Sequence, residues 1–169
     1  MNRTLLIPAV LVALAVTGCT RLPEGIRPVQ GFNLQRYLGE WHEVARLDHR
    51  FERGLTRVTA TYSLNADGSV KVLNRGWNAA KGRWKEAEGR AVFVNSSQEG
   101  RLKVSFFGPF YGAYTIIALE PERYSMICGP DRSYFWILSR EPRLDPATLQ
   151  GLIAQAKAQG FATEQLIYP

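Results

Sequence analysis

Residues 38–46 read LGEWHEVAR, and this stretch decides the fold. Gly39 permits a sharp backbone turn, because a residue without a Cβ adopts conformations that other residues avoid. From Trp41 onward, successive side chains alternate between two faces, which is the period of a β-strand. The indole of Trp41 must be buried and its N–H must find a partner. The sequence therefore predicts a strand that places one large aromatic residue at the start of a sheet.

A second strand-like run, residues 134–140, reads YFWILSR and precedes a helical segment. If the first and last strands of an up-and-down sheet pair, the sheet closes on itself. Arg140 then arrives over Trp41, where a guanidinium and an indole form a cation–π contact. We expect this pairing, and we expect Arg140 to be structural rather than a binder of ligand head groups.

The chain has 169 residues, 46% of them hydrophobic, enough for one domain with a sizeable core. Its first 18 residues stand apart, because Asn2 and Arg3 precede an apolar run from Leu5 to Val16. Such a run spans about 18 Å as a helix, whereas a bilayer core is about 30 Å thick. Residues 1–18 are therefore predicted to be a secretory signal peptide.

This segment ends in VTGC, which resembles a bacterial lipobox. The resemblance implies that Cys19 is acylated and becomes the mature N-terminus. The alternative is an ordinary signal peptide with an incidental cysteine. Thr20 follows the cysteine. In the lipoprotein class an aspartate at this position favours retention in the inner membrane, so its absence here favours the outer membrane. We expect residues 19–30 to be a lipidated linker, and residues 31–169 to form a domain at the periplasmic face of that membrane.

The net charge is +6 for the whole chain and +5 once the signal peptide, with Arg3, is removed. The basic residues are dispersed and form no run of five, which is typical of a solvated surface rather than of a nucleic-acid-binding stripe. A mild positive charge suits a protein tethered beside anionic lipid. The sequence leaves open whether the chain forms a homodimer.

Alternating apolar runs separated by turn residues predict eight strands. They cover residues 41–48, 57–64, 69–77, 83–95, 101–107, 113–120, 123–128 and 134–140. No connection is long enough for a crossover helix, so neighbouring strands should pair antiparallel. The predicted fold is all-β, an eight-stranded antiparallel up-and-down barrel of the size that holds one small ligand.

A single longer helix follows the strands. Asp145 is expected to cap it, Pro146 to occupy its first position and Gly160 to end it. Its narrow apolar stripe predicts a helix that lies outside the barrel; the stripe consists of Leu149, Leu152, Ile153 and Ala156. A short final strand is expected over residues 161–168.

With these elements in order, the chain resembles the lipocalin family, and within it the bacterial outer-membrane lipoprotein branch. The resemblance covers nearly all of residues 31–168. The motifs that carry it are Gly39-x-Trp41, DHRFERGL at 48–55, KVSFFGPFYG at 103–112, CGPDR at 128–132 and WILSR at 136–140. The family's second signature, usually Thr-Asp-Tyr, is replaced here by PDRSY at 130–134, a departure that the bacterial branch shares.

The resemblance implies a barrel closed at one end that carries fatty acids or lysophospholipids. It also implies that Gly39, Trp41 and Arg140 are the structural signature, with Trp41 packed under Arg140. From the alternation of the strands, the candidate residues of a lipid-binding cavity are Ala60, Tyr62, Phe93, Phe106, Tyr114 and Trp136. Plain core packing is the alternative for each of them taken singly.

Nothing in the sequence predicts a catalytic set. It has two histidines and no His-x-x-x-His or Cys-x-x-Cys spacing, so we expect no metal, no cofactor and no enzyme. Cys128 is expected to be a buried small hydrophobe, and His49 a solvated loop residue. Two alternatives stay open: a lipid-modifying enzyme that uses Cys128 as a thiol, and an envelope protein whose barrel is only an interaction module.

Overall fold

The computed structural model describes residues 21–169. The predicted signal peptide and Cys19 lie outside the described residues. The elements are α1 Leu34–Tyr37, β1 Gly39–Leu47, β2 Leu55–Leu64, β3 Val70–Asn78, β4 Arg83–Phe93, β5 Arg101–Phe107, β6 Phe110–Glu120, β7 Tyr124–Cys128, β8 Phe135–Ser139, α2 Pro146–Ala158 and β9 Leu166–Ile167. Short 3-10 turns occupy Ala79–Lys81 and Thr163–Gln165.

Strands β1 to β8 form a closed antiparallel barrel, which confirms the predicted fold. Each strand pairs with the next along the chain, and β1 closes the ring by pairing with both β2 and β8. Trp41 lies opposite Ala60 on one side, and Glu43 lies opposite Leu138 on the other. The expected pairing of the first and last barrel strands is therefore confirmed.

A β-bulge interrupts β1 between Glu43 and Ala45, where the pairing with β8 shifts register. The extra residue reverses which face each following side chain occupies. Ala45 and Leu47 consequently join the outer core, while the Arg46 side chain takes an interior position opposite Trp136. Strict alternation along this strand was expected, and the bulge is where that expectation is wrong.

Residues 21–169 form two hydrophobic cores. The inner one fills the lower barrel around Trp41, Tyr37 and Phe32. The outer one lies between the barrel wall and α2, whose Leu152 and Ala156 are buried in it. Asp145 caps α2 as expected, since its carboxylate accepts from the Thr148 backbone N–H at 2.9 Å.

The last predicted strand is shorter than expected. Only Leu166–Ile167 pairs with β1, because a 3-10 turn at Thr163–Gln165 precedes it. Within residues 21–169, no helix combines the length and the apolar character needed to cross a bilayer.

Because consecutive strands run in opposite directions, the segments that connect them lie at two ends of the barrel, one open and one closed. The open end comprises residues 48–57, 75–86, 107–111 and 129–134. The closed end comprises residues 33–40, 64–69, 94–101, 120–123 and 140–145. Helix α1 and Phe32 pack against the inner core at the closed end and so plug the barrel there.

Candidate functional site

A cavity of about 100 Å³ lies inside the barrel between the inner core and the open end. Its walls are mostly apolar and aromatic, with Glu43, Glu52 and Asn74 as the charged or amide side chains. Five of the six side chains predicted to line a cavity do line it; they are Ala60, Tyr62, Phe106, Tyr114 and Trp136. Such a lining is typical of a site for a hydrophobic ligand with few polar anchors.

The sixth predicted residue, Phe93, is not among the lining residues. It ends β4 near the closed end and packs against the inner core. Its ring centroid lies 6.0 Å from that of Phe32, in an edge-on arrangement. Phe93 has the predicted inward orientation, but it sits at a depth where the plug already fills the barrel.

The closed end is built around Trp41, which is fully buried. The Arg140 guanidinium lies 3.8 Å from the centre of its indole ring, and the indole N–H donates to the Tyr37 carbonyl oxygen at 2.8 Å. Arg140 also donates to three backbone carbonyl oxygens, at 2.7 to 3.0 Å. Gly39 has φ +96°, and a Cβ there would lie 3.4 Å from the same guanidinium. The expected contact between Trp41 and Arg140 is therefore present.

Three tyrosines meet at the floor of the cavity; Tyr62 and Tyr114 line it, and Tyr37 lies beside them in the inner core. The Tyr114 hydroxyl lies 2.7 Å from those of both Tyr37 and Tyr62, and the Tyr37 hydroxyl lies 3.4 Å from Ser125 Oγ. Burial raises the pKa of all three phenols, so they stay neutral and share hydrogen bonds with one another. The floor is thus polar but uncharged, and its hydrogen bonds are made within the protein.

A buried charged network lies beside the cavity toward the open end. Arg46 donates to Glu43 Oε1 and to the backbone carbonyl oxygens of Glu52 and Leu55. Glu52 accepts a hydrogen bond of 3.0 Å from the Trp136 indole N–H. The network joins the bulged strand, the following loop and the last barrel strand.

The same loop carries His49 in a buried position. Its Nε2 lies 3.0 Å from Glu52 Oε2, and its ring packs 5.0 Å from that of Trp136 and 5.8 Å from that of Tyr134. The expectation of a solvated loop histidine is wrong. The rings of Trp136, on β8, and of Tyr134, just before β8, cover the imidazole.

The two carboxyl groups of the network differ in their tendency to ionise. Burial and the nearby Glu52 carboxylate raise the pKa of Glu43 to about 8, against the opposing influence of Arg46. Burial opposes ionisation of Glu52 as well, but hydrogen bonds from His49 and Trp136 and the nearby Arg46 guanidinium hold its pKa below the usual value. At neutral pH the cavity wall therefore carries one carboxylate and one largely protonated carboxyl group.

The alternation along β1 puts Glu43 on the same face as Trp41, but it does not predict the interior positions of Arg46 and Glu52. The residue that reverses the strand faces, Val44, is an ordinary strand former, so nothing in its identity reveals the bulge. The charged loop of residues 48–54 also reads as solvated on composition alone. The one available signal was Glu43 itself, because an inward carboxylate requires a buried partner.

Cys128 lies in the outer core and is fully buried, as expected. It does not line the cavity, and burial raises the pKa of its thiol to about 12. A thiol that stays protonated is a poor nucleophile. Across residues 21–169 no group of three or more histidine, cysteine or acidic side chains is arranged to hold a metal ion.

The chain is similar to known proteins both in sequence and in fold. Residues 32–169 match the family model described as a lipocalin-like domain. The chain is 52% identical over 161 residues to the outer membrane lipoprotein Blc of Vibrio cholerae, covering 94% of each chain. It is 48% identical to the Escherichia coli (strain K12) protein of the same name, covering 96% of this chain and 94% of that one. Insecticyanin of the tobacco hornworm Manduca sexta has a similar fold, with a TM-score of 0.71 at 20% identity over 89% of this chain and 86% of its own.

Proposed function

The chain belongs to the lipocalin family, in its bacterial outer-membrane lipoprotein branch, and we propose that it binds single-chain lipids and carries or stores them. Lipocalins are binding and transport proteins for small hydrophobic ligands. The ligand proposed here is a fatty acid or a lysophospholipid, held in the barrel cavity without chemical change. The protein is further proposed to sit at the periplasmic face of the outer membrane through an acylated Cys19.

The observation that carries this proposal is the cavity itself. It is apolar along most of its wall and ends on the tyrosine floor. A barrel of eight strands has an interior wide enough for side chains and one slender ligand. The present cavity of about 100 Å³ is small, which favours one acyl chain over the two of an ordinary phospholipid.

Trp136 is the side chain best placed to report a bound chain. It lines the cavity and stands on β8 four residues before Arg140, which directly follows that strand, so it lies roughly 13 Å above the closed end at about 3.3 Å per residue. Its indole N–H is already bonded to Glu52, so the ring offers a ligand its apolar surface. We therefore assign the indole to contact with the acyl chain rather than with the head group.

The two alternatives have less support. A thiol mechanism requires Cys128 to reach the ligand, but this side chain lies in the outer core against Phe135 and α2. A barrel used only as an interaction module needs no interior cavity, whereas this one has an apolar cavity leading from its open end.

Native mass spectrometry of the delipidated protein tests the proposal. Palmitic acid and a palmitoyl lysophospholipid are added separately, and we expect one ligand per chain with at least one of them. As a control, a diacyl phospholipid should bind much more weakly. Absence of any single-chain complex would contradict the carrier function.

Membrane fractionation tests the proposed anchor separately. Replacing Cys19 by serine should release the protein from the outer membrane or misplace it. Unchanged outer-membrane fractionation of C19S would refute acylation at this residue. The outcome bears on the anchor alone, since the cavity does not depend on it.

A further inference from the structure

The open end exposes aromatic side chains that a soluble domain normally buries. Phe107 and Phe110 face each other at the tip of the β5–β6 hairpin and are 76% and 78% exposed. Phe51, on the β1–β2 loop of the same end, is 49% exposed. Clustered exposed apolar groups on a folded protein mark a surface that contacts something. Aromatic rings are the groups preferred at the boundary between lipid and water.

The two ends of the barrel also differ in charge. The open end contains eight basic and four acidic residues, a net charge of +4. The closed end contains five basic and seven acidic residues, a net charge of −2. The net positive charge therefore lies at the same end of the barrel as the exposed aromatic rings. This combination complements an anionic lipid surface, whose potential attracts lysine and arginine near it.

The N-terminal segment begins at the same end. Arg132, in the β7–β8 connection, donates to the Glu24 carbonyl oxygen at 2.6 Å. From there the chain runs along the outside of the barrel to the closed end, where the Phe32 N–H donates to the Gln98 carbonyl oxygen at 2.8 Å. Cys19 precedes Glu24 by five residues, a reach of at most about 18 Å. If Cys19 carries the proposed lipid, its acyl chains enter the bilayer within that distance of the open end.

We propose that the open end docks on an anionic bilayer surface, with Phe51, Phe107 and Phe110 entering the head-group region. The cavity then opens toward the leaflet, so a single-chain lipid passes between membrane and barrel with little exposure to water. This inference goes beyond the proposed function, since the docking surface stands whatever the cavity holds. A second copy fits this surface poorly, because two open ends face to face would bring like charges together.

Site-specific labels on the full chain test the proposal. The F110C and L64C variants, purified from bacterial membranes, are labelled with an environment-sensitive fluorophore. Leu64 is the matched control, because it is a closed-end residue with a 48% exposed side chain. The buried Cys128 should not react, and the unmodified chain carried through the same labelling gives the background.

The labelled proteins are reconstituted into vesicles of phosphatidylethanolamine and phosphatidylglycerol, in a ratio of 3:1, containing a spin-labelled lipid. We expect quenching at position 110 to exceed quenching at position 64 by at least twofold. Equal quenching, stronger quenching at position 64, or quenching at neither would overturn the proposal.

Two further experiments show whether an anionic membrane or a second copy of the protein covers the open end. Replacing phosphatidylglycerol by phosphatidylcholine should reduce the difference between the two labels, and an unchanged difference would refute the electrostatic part. Without vesicles, a concentration-dependent emission shift at position 110 would show that a second copy covers the open end. That result would overturn the membrane assignment, and we expect no such shift.

Discussion

The two ends of this barrel are built on opposite principles. At the closed end, Trp41 and Arg140 stack, and every hydrogen bond named for them ends on a backbone carbonyl oxygen of the protein. At the open end, aromatic rings such as Phe110 face solvent. Just inside it, Glu43 and Glu52 line the cavity as differently ionised carboxyl groups.

This difference predicts that stability depends mainly on the closed end of the barrel and function mainly on the open end. A closed end made of packed rings and satisfied donors should lose stability when it is altered. An open end made of exposed rings and surface charges should lose little stability, because surface substitutions usually change the free energy of unfolding by less than about 0.5 kcal/mol. Substitutions at the two ends test this division, and they follow in order of expected effect.

Trp41→Ala should have the largest effect. Truncating a fully buried tryptophan removes its packing and leaves a cavity, which costs about 3–5 kcal/mol. Urea denaturation should show this loss of the free energy of unfolding. A loss below about 1 kcal/mol would mean that the indole does not hold the closed end together.

Arg140→Ala should cost less, about 1–3 kcal/mol, because it removes a cation–π contact and three donors to backbone carbonyl oxygens. In a double-mutant cycle with Trp41→Ala, the two losses should sum to more than the loss in the double variant. Strict additivity would show that the two side chains do not stabilise each other.

Glu43→Gln should change how stability depends on pH. The folded state raises the pKa of Glu43 from 4.5 to about 8, so in this interval it binds more protons than the unfolded chain. Stability should therefore fall as pH rises from 5 to 8, and glutamine, which mimics the protonated form, should reduce that fall by at least about 1 kcal/mol. Parallel pH profiles of E43Q and the parent would contradict the assignment. The depressed pKa of Glu52 acts below this window, so it does not confound the comparison.

Phe110→Ser should have the smallest effect on folding. Its side chain is already in solvent, so the free energy of unfolding should change by less than about 0.5 kcal/mol. Leu64→Ser at the closed end is the matched control and should behave alike. A loss of more than 1 kcal/mol in F110S alone would mean that this ring packs into the fold.

Sequence reasoning succeeded where local pattern and global closure agree. The turn at Gly39, the strand after it and the arginine at the end of the last barrel strand all point to one closure, and the structure contains it. The capping residue of α2 and the burial of Cys128 followed from elementary rules of the same kind.

The features that the sequence did not predict are ones that no particular residue type indicates. The bulge after Glu43 turned Arg46 into the barrel, and the loop that follows folded His49 under aromatic side chains. Phe93 was placed on the correct face, but the depth of the plug depends on how α1 and Phe32 pack. Tertiary packing determines both features, and the alternation of side chains along a strand gives no information about that packing.

The most direct test of the proposed lipid site in the barrel is the quenching of tryptophan fluorescence by a brominated fatty acid. A chain brominated at its middle should quench tryptophan fluorescence saturably, near one ligand per protein, because Trp136 lines the cavity. Trp136→Phe should remove most of the quenching. Trp84→Phe should preserve it, since that ring is part of the outer Trp77–Trp84 pair beneath Arg75. Full quenching in W136F, or no saturable quenching in the parent, would contradict a lipid site in the barrel.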